Sequence, residues 1–376
     1  MFKTKSILIS SISLLITIVM MVTLCSVGFT VSAGETIEVW SGQAATSFAR
    51  GDGSIENPYE IENADQLYYL VSEVSKKGNI AFSKGKYFEI TKDIYINDVR
   101  DGTPVQNLAD PKSWGNGLTA PNQASNYRNF FHGTLNGNGH VIYGLYVYNY
   151  VNPGLFGGIA NGAVVENLGF DNLYFEGGAG SAGAVAGYAN WAGLSGSTAK
   201  IKNCYVINAT MVAGSSNKLA NAGGFVGNAS NATMEFSNCY AYNLSLTGSA
   251  CNASLIGKKT TESTVKVYNS FFLDYITVTK TSNGHNNVKY YNVYTDKDIV
   301  AKDSGKTDAD EVFVKLTLDQ MKGSAAKENM QGFAWDEVWY TTEDGYPTLT
   351  APDAPACQHT NKKDANVVDA TYFTAG

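Results

Sequence analysis

The sequence predicts an all-β chain folded as a right-handed, single-stranded parallel β-helix (a solenoid) with a short helical N-terminal cap. Three observations predict it. A short apolar strand closed by Gly recurs four times, and each copy is followed by an Asn that opens a second strand. Five residues after each of those Asn residues stands another Asn or, in the last copy, an Asp. Gly is abundant and Pro scarce, 38 residues against 8, which suits short strands joined by tight corners better than disorder.

The four Gly-closed strands are Gly154-Leu155-Phe156-Gly157, Ala184-Val185-Ala186-Gly187, Gly224-Phe225-Val226-Gly227 and Ser254-Leu255-Ile256-Gly257. The strands after them begin at Asn167, Asn203, Asn238 and Asn269, with the later partners Asn172, Asn208, Asn243 and Asp274. A repeat made only of short strands cannot bury its own apolar face, whereas stacking repeats buries it. A fixed interval of five places one short strand between two corners, where Asn tolerates unusual backbone angles and bonds the turn. Stacked corners then make an Asn ladder of Asn167, Asn203, Asn238 and Asn269, with a second run through Asn172, Asn208 and Asn243. Leu168 and Phe170, Cys204 and Val206, Cys239 and Ala241, and Ser270 and Phe272 are expected to point inward.

Four segments emerge from a pass along the chain. Residues 1–33 read as a signal peptide: Lys3 and Lys5, an apolar run from Ile7 to Val22, and the small-residue site Val31-Ser32-Ala33. Leu24 stands where a lipobox before Cys25 needs Gly or Ala, so lipid attachment is discounted. Residues 34–130 hold the cap and a long loop. Asn63 with Gln66 resembles a capping box, and Leu67, Leu70, Val71 and Val74 recur at helical spacing until Lys76-Lys77-Gly78. Tyr87 to Ile96 alternates as a strand, and residues 99–129 have no clear period. The β-helix and a closing strand occupy residues 131–350. Residues 351–376 form a linker and the start of a Cys-containing repeat that the sequence does not complete.

Composition narrows the function classes. The net charge is −7 and no basic block exists to hold a nucleic-acid backbone. Arg50, Arg100 and Arg128 are the only arginines, so the repeats lack the Arg base and clustered carboxylates that a calcium-dependent lyase needs. Glu166 and Asp171 are followed in the next coil by Lys202 and Asn208, which breaks a carboxylate pair. His132, His140, His285 and His359 make no zinc motif, and the two that flank the Asn136–Gly139 turn read as surface residues. No catalytic residue, metal site or cofactor is predicted. Cys204 and Cys239 share a repeat position; parallel side chains favour two buried thiols, with a bridge as the alternative.

One outward position is aromatic in successive repeats: Tyr205, Tyr240 and Phe271. Stacked aromatics stabilise adjacent coils. They also hold the apolar side of a sugar ring, so these three, with Trp114 from the long loop, are the ligand-binding candidates. Tyr146, Tyr148 and Tyr150 are a second candidate row with the same ambiguity.

The chain resembles the GLUG-motif group of bacterial surface proteins. Gly154-Leu155-Phe156-Gly157 with Val165-Glu166-Asn167-Leu168 is close to that motif, and Phe131 to His140 is similar to the turn that opens the helix. Asn57-Pro58-Tyr59 looks like the N-terminal cap, and Gly345 to Leu349, after Trp335 and Trp339, like the closing strand. The likeness runs from Gly51 to Leu349. It implies a β-helix and little about activity: members include adhesin-like proteins and the non-catalytic N-terminal parts of immunoglobulin-cleaving metallopeptidases. The expectation is a secreted or cell-surface, monomeric, non-catalytic module that meets a membrane only through its signal peptide. It binds polysaccharide or a host or neighbour surface glycoprotein. The alternatives are a carbohydrate-active enzyme sited in residues 99–129, and a spacer that projects other domains.

Overall fold

The computed structural model describes residues 37–76, 78–115, 130–190, 196–213, 219–275, 278, 288–298 and 312–350. The predicted signal peptide (1–33), much of the long loop (116–129) and the C-terminal segment 351–376 lie outside the described residues. The chain divides into two compact units, Met1–Ile37 and Glu38–Gly376, and every described strand belongs to the second.

The second unit is mostly β, and every pairing between its strands is parallel. Along one face, Tyr59–Ile61, Tyr87–Ile90, Thr134–Asn136, Val164–Glu166, Ala199–Lys202, Thr233–Ser237, Thr264–Phe272 and Val288–Thr295 succeed one another as neighbours. The register keeps Leu135, Val165, Ile201, Phe236 and Val267 in one column, all buried. A second face stacks Ile94–Tyr95, Val141–Tyr143, Gly169–Ala182, Tyr205–Ala213 and Tyr240–Thr247. Its buried column is Ile142, Phe170, Val206, Ala241 and Phe272. A third, four-stranded face holds Phe156–Ala160, Ala186–Asn190, Val226–Ser230 and Ile256–Lys259. Successive coils contribute strands to these faces in turn, an arrangement compatible with a solenoid. Burying about 0.8 kcal/mol per methylene along such columns is what holds the coils together.

The corners are marked by side chains that hold a left-handed backbone. Asn167, Asn172, Asn203, Asn208, Asn238, Asn243 and Asn269 all have φ between 46° and 58°, and Asp274 has φ 74°. This left-handed region costs most side chains about 1–2 kcal/mol, but Asn enters it readily. Asn167, Asn203 and Asn238 each stand between a strand of the first face and one of the second, whereas Asn172, Asn208, Asn243 and Asn269 turn the backbone within a longer strand.

Three expectations change. Parallel strand pairing begins at Tyr59, with an isolated parallel bridge from Val39 to Tyr95 before it, and not near Phe131: strands on both sides of the long loop belong to one stack. The strand predicted from Tyr87 to Ile96 is two strands, Tyr87–Ile90 and Ile94–Tyr95, split by the exposed Lys92 and Asp93. The closing strand at Gly345 to Leu349 makes only an antiparallel bridge between Tyr340 and Thr348. Helix α1 spans Ala64–Ser75; the Asn63 side chain accepts from the Gln66 N–H, while the Gln66 side chain reaches back to Glu62 N at 2.8 Å, one residue beyond the ideal box.

Candidate functional site

The Asn corners are the first set of singled-out residues. Asn167 Nδ2 donates to Asn136 Oδ1 at 2.9 Å, Asn203 to Asn167 at 2.8 Å, and Asn238 to Asn203 at 2.9 Å. Further along, Asn292 donates to Asn269 at 3.0 Å. The amides thus bond coil to coil, and Asn136 and Asn292 are members that sequence spacing missed. The second run is different. Asn243 donates to Asn208 Oδ1, but Asn208 donates to the carboxylate of Asp171 at 2.7 Å and not to Asn172. Asn172 is diverted into the long loop: its Nδ2 donates to Thr103 O at 2.8 Å and its Oδ1 accepts from Val105 N at 2.9 Å. Asn172 is therefore a clamp on the loop, and the continuous second ladder is corrected to a pair ending on Asp171.

The aromatic row is stacked but is not an exposed face. Tyr205 and Tyr240 lie 4.9 Å apart at 8°, and Tyr240 and Phe271 lie 5.1 Å apart at 4°. Phe271 is 0% and Tyr240 4% exposed. Trp339 covers both rings at 5.9 and 5.8 Å, and Tyr346 lies over Tyr242 and Phe271. Met321, Met330, Phe333 and Trp339 join Tyr240, Phe271 and Tyr294 in a second apolar cluster outside the coil core. Outward residues of the stack have become the inner layer beneath the C-terminal segment. Trp114 is also withdrawn from solvent: it is fully buried, its Nε1 donates to Leu155 O at 3.3 Å, and it packs on Trp40 and Tyr68. Tyr240, Phe271 and Trp114 cannot meet a ligand without rearrangement, whereas Tyr205 at the end of the row is half-buried. His132 and His140, expected at the surface, are buried as well, with His140 Nδ1 3.1 Å from Asp93 Oδ1.

Among the described residues the cysteines carry no bridge: Cys204 and Cys239 are buried thiols and Cys251 is half-buried and free. Burial pushes the Cys239 thiol up to about 12 and raises Cys204 well above its ordinary value. Glu166 and Lys202 form an ion pair at 2.9 Å, so the carboxylate on that face is matched by a cation on the next coil.

A cleft missed by sequence reasoning lies where the long loop arches over the second face. Its volume is about 650 Å³. The floor is built by register alone. Tyr95 pairs with Tyr143, and Tyr143 with Asp171, so three residues spread over 76 positions stand side by side on successive coils. The Tyr95 and Tyr143 rings stack at 4.8 Å and 12°. Beyond the corner, Thr210 and Ser245 occupy one register position, and Asn172, Asn208 and Asn243 edge the floor between them. The opposite wall is Val99, Arg100, Gly102, Pro104 and Gln106, held down by the Asn172 clamp. Asn97 anchors the same loop, donating to Gly144 O at 2.8 Å and accepting from Lys112 N at 2.7 Å.

Electrostatics mark Asp171 within this floor. Burial raises its pKa, opposed by hydrogen bonds from the Asn208 side chain and the Asn172 backbone. Burial likewise pushes up the Tyr143 and Tyr205 hydroxyls, helped by nearby carboxylates including Asp93 and Asp171. Gly169, two residues before Asp171, leaves space for Tyr205: a Cβ there would lie 2.3 Å from Tyr205 Cζ. An aromatic pair, a carboxylate, amides and hydroxyls converging in one cleft can hold a polyhydroxylated ligand by its apolar face and its edges.

No family model matches the chain. A protein of Evansella cellulosilytica called "Putative Gly-rich membrane protein" is 32% identical over 154 residues, which are 39% of this chain and 15% of that protein. The chain therefore spans a small part of the length of this relative. Among solved structures, one described as "a putative immunoglobulin A1 protease from Bacteroides ovatus" superposes with a TM-score of 0.50 at 19% identity, covering 80% of this chain and 95% of that one. That likeness concerns the fold. Among the described residues, no helix is long and apolar enough to cross a membrane.

Proposed function

We propose that this chain is a secreted or cell-surface module, a right-handed parallel β-helix capped by α1, that binds glycans in the cleft under the long loop. The observation that carries the reading is the convergence of Tyr95, Tyr143 and Asp171 with the amide and hydroxyl groups of the next two coils. The resemblance to GLUG-motif surface proteins supports an exported location. So does similarity to a relative called a membrane protein, together with the fold shared with the chain described as an immunoglobulin A1 protease. Binding is favoured over hydrolysis because glycosidases use a carboxylate pair, and Asp171 is the one carboxylate among the residues lining the cleft. Corners repeating along the coil axis suit a polymer that engages several weak subsites together.

A glycan array and pull-downs on insoluble polysaccharides and host glycoproteins test this with the full chain. Wild type should retain at least one polymer, and Tyr95→Ala should weaken it about tenfold, or about 1.4 kcal/mol. Release of reducing ends from a retained polymer would establish the enzyme alternative instead. Failure to retain any polymer would favour the spacer.

A further inference from the structure

Asp171 has no cationic partner among the described residues. One of its oxygens accepts from Asn208 Nδ2 at 2.7 Å. Along its outward row it lies between Tyr143 and Ile207, and its charge is felt by Tyr143, Tyr205, Tyr240 and Tyr242. The carboxylate is thus half-buried, beside Tyr143 and within electrostatic reach of three further tyrosines.

The rest of the cleft supplies no compensating charge. Arg100, the one basic residue of the lining, is engaged by Asp98, with Nε and Nη2 at 3.0 and 2.9 Å from its two oxygens. That contact raises Arg100 and lowers Asp98, as expected of a satisfied pair. Asp101 comes next on the same loop, and no Lys is among the lining residues. Asp93, the other carboxylate acting on Tyr143, is held by His140. The field in the cleft is therefore negative, in a chain whose net charge is −7. A desolvated carboxylate without a cation is unfavourable for the fold, and such groups cluster at sites where a ligand supplies the missing charge. The faces of neighbouring aromatic rings attract the same cation, and a charge-assisted hydrogen bond to a carboxylate is about twice as strong as a neutral one.

Resting on the glycan-binding reading, we propose that the cleft is selective for amino sugars: a protonated amine sits between the Asp171 carboxylate and the stacked rings of Tyr95 and Tyr143. Hydroxyls of adjoining sugar units meet Asn208, Thr210 and Ser245. An acidic polysaccharide is repelled, and an N-acetylated one presents no cation to Asp171.

The test is isothermal titration of the full chain with three oligosaccharide probes of equal length: chitosan oligomers, their fully N-acetylated chitin counterparts, and oligogalacturonate. Chitosan oligomers should bind about tenfold or more tighter than the N-acetylated ones, and added salt should erode that preference. Asp171→Asn, checked for folding by its melting curve, should bring the two within about twofold, whereas Asp93→Asn should retain the preference. The wild-type comparison stands even if a variant fails to fold. Equal or tighter binding of the N-acetylated probe, preference for oligogalacturonate, or an Asp171→Asn protein that keeps the preference would each overturn the inference. Binding to another polymer but to none of the three would overturn it alone. Binding to no polymer at all would remove the glycan reading with it.

Discussion

Asn203→Ala removes one rung of the amide ladder and one left-handed corner at once. Asn203 donates to Asn167 Oδ1 at 2.8 Å and accepts from Asn238 Nδ2 at 2.9 Å, with φ at 50°. Losing two hydrogen bonds is worth about 0.5–1.5 kcal/mol each, with a further penalty for leaving the partner groups of Asn167 and Asn238 unpaired where they are desolvated. Ala at positive φ adds about 1–2 kcal/mol of backbone strain. The expected loss is about 2–5 kcal/mol, against about 0.5 kcal/mol or less for Glu235→Ala on the adjacent coil. Asn203→Gly separates the two contributions, because Gly loses the bonds without the strain and should recover about 1 kcal/mol relative to Ala. The assay is urea unfolding of the three variants at matched slope, with hydrogen exchange at the Asn167 and Asn238 corners as the local readout. Equal midpoints for Asn203→Ala and Glu235→Ala, with unchanged exchange at the flanking corners, would refute the ladder as a source of stability.

The geometry sets three further outcomes. Asp171 has a raised pKa, so the stability it supplies is present below its unfolded value of 3.8 and is lost as pH rises through its folded value. Asp171→Asn should accordingly raise the melting temperature at pH 7 and leave it unchanged near pH 3; a drop at pH 7 would contradict the burial argument. Trp339→Ala should cost about 3–5 kcal/mol in the C-terminal layer and open residues 313–349 to limited proteolysis while the coils stay intact. With Cys25 and Cys357 replaced by Ser, native alkylation at pH 8 should label Cys251 and spare Cys204 and Cys239, whose thiols burial holds protonated; rapid labelling of either would show that the core opens.

Much of the stack is legible because its signals are local. A corner needs positive φ, Asn supplies it, and the strand between corners has fixed length, so the interval of five is printed in the sequence. The same interval could have been traced one coil earlier: Gly139 and Gly144, at φ 84° and 66°, stand five apart where later coils use Asn. Gly144 carries no side chain to signal a corner, and the insertion in the Asn136–Gly139 turn hides the alignment. The cover over the aromatic row was not legible. An outward aromatic looks the same whether solvent or a second layer lies outside it, and the segment carrying Trp339 has no periodicity that ties it to Tyr240 and Phe271. Nor could the cleft be seen, since Tyr95, Tyr143 and Asp171 become neighbours only once the register of three separate coils is known. Asn172 looked like a rung because its position is periodic, yet the loop backbone at Thr103 and Val105 competes successfully for its amide.

Hydrogen exchange of the full chain, with and without a polysaccharide that it retains, tests most directly where the ligand sits. A ligand seated in the cleft should confine protection to residues 95–106, 143–144, 171–172, 208–210 and 243–245, with exchange in residues 313–349 unchanged. Protection centred on Tyr205, Tyr240 and Phe271, accompanied by faster exchange in residues 313–349, would contradict it: the ligand would then be displacing the C-terminal layer from the aromatic row.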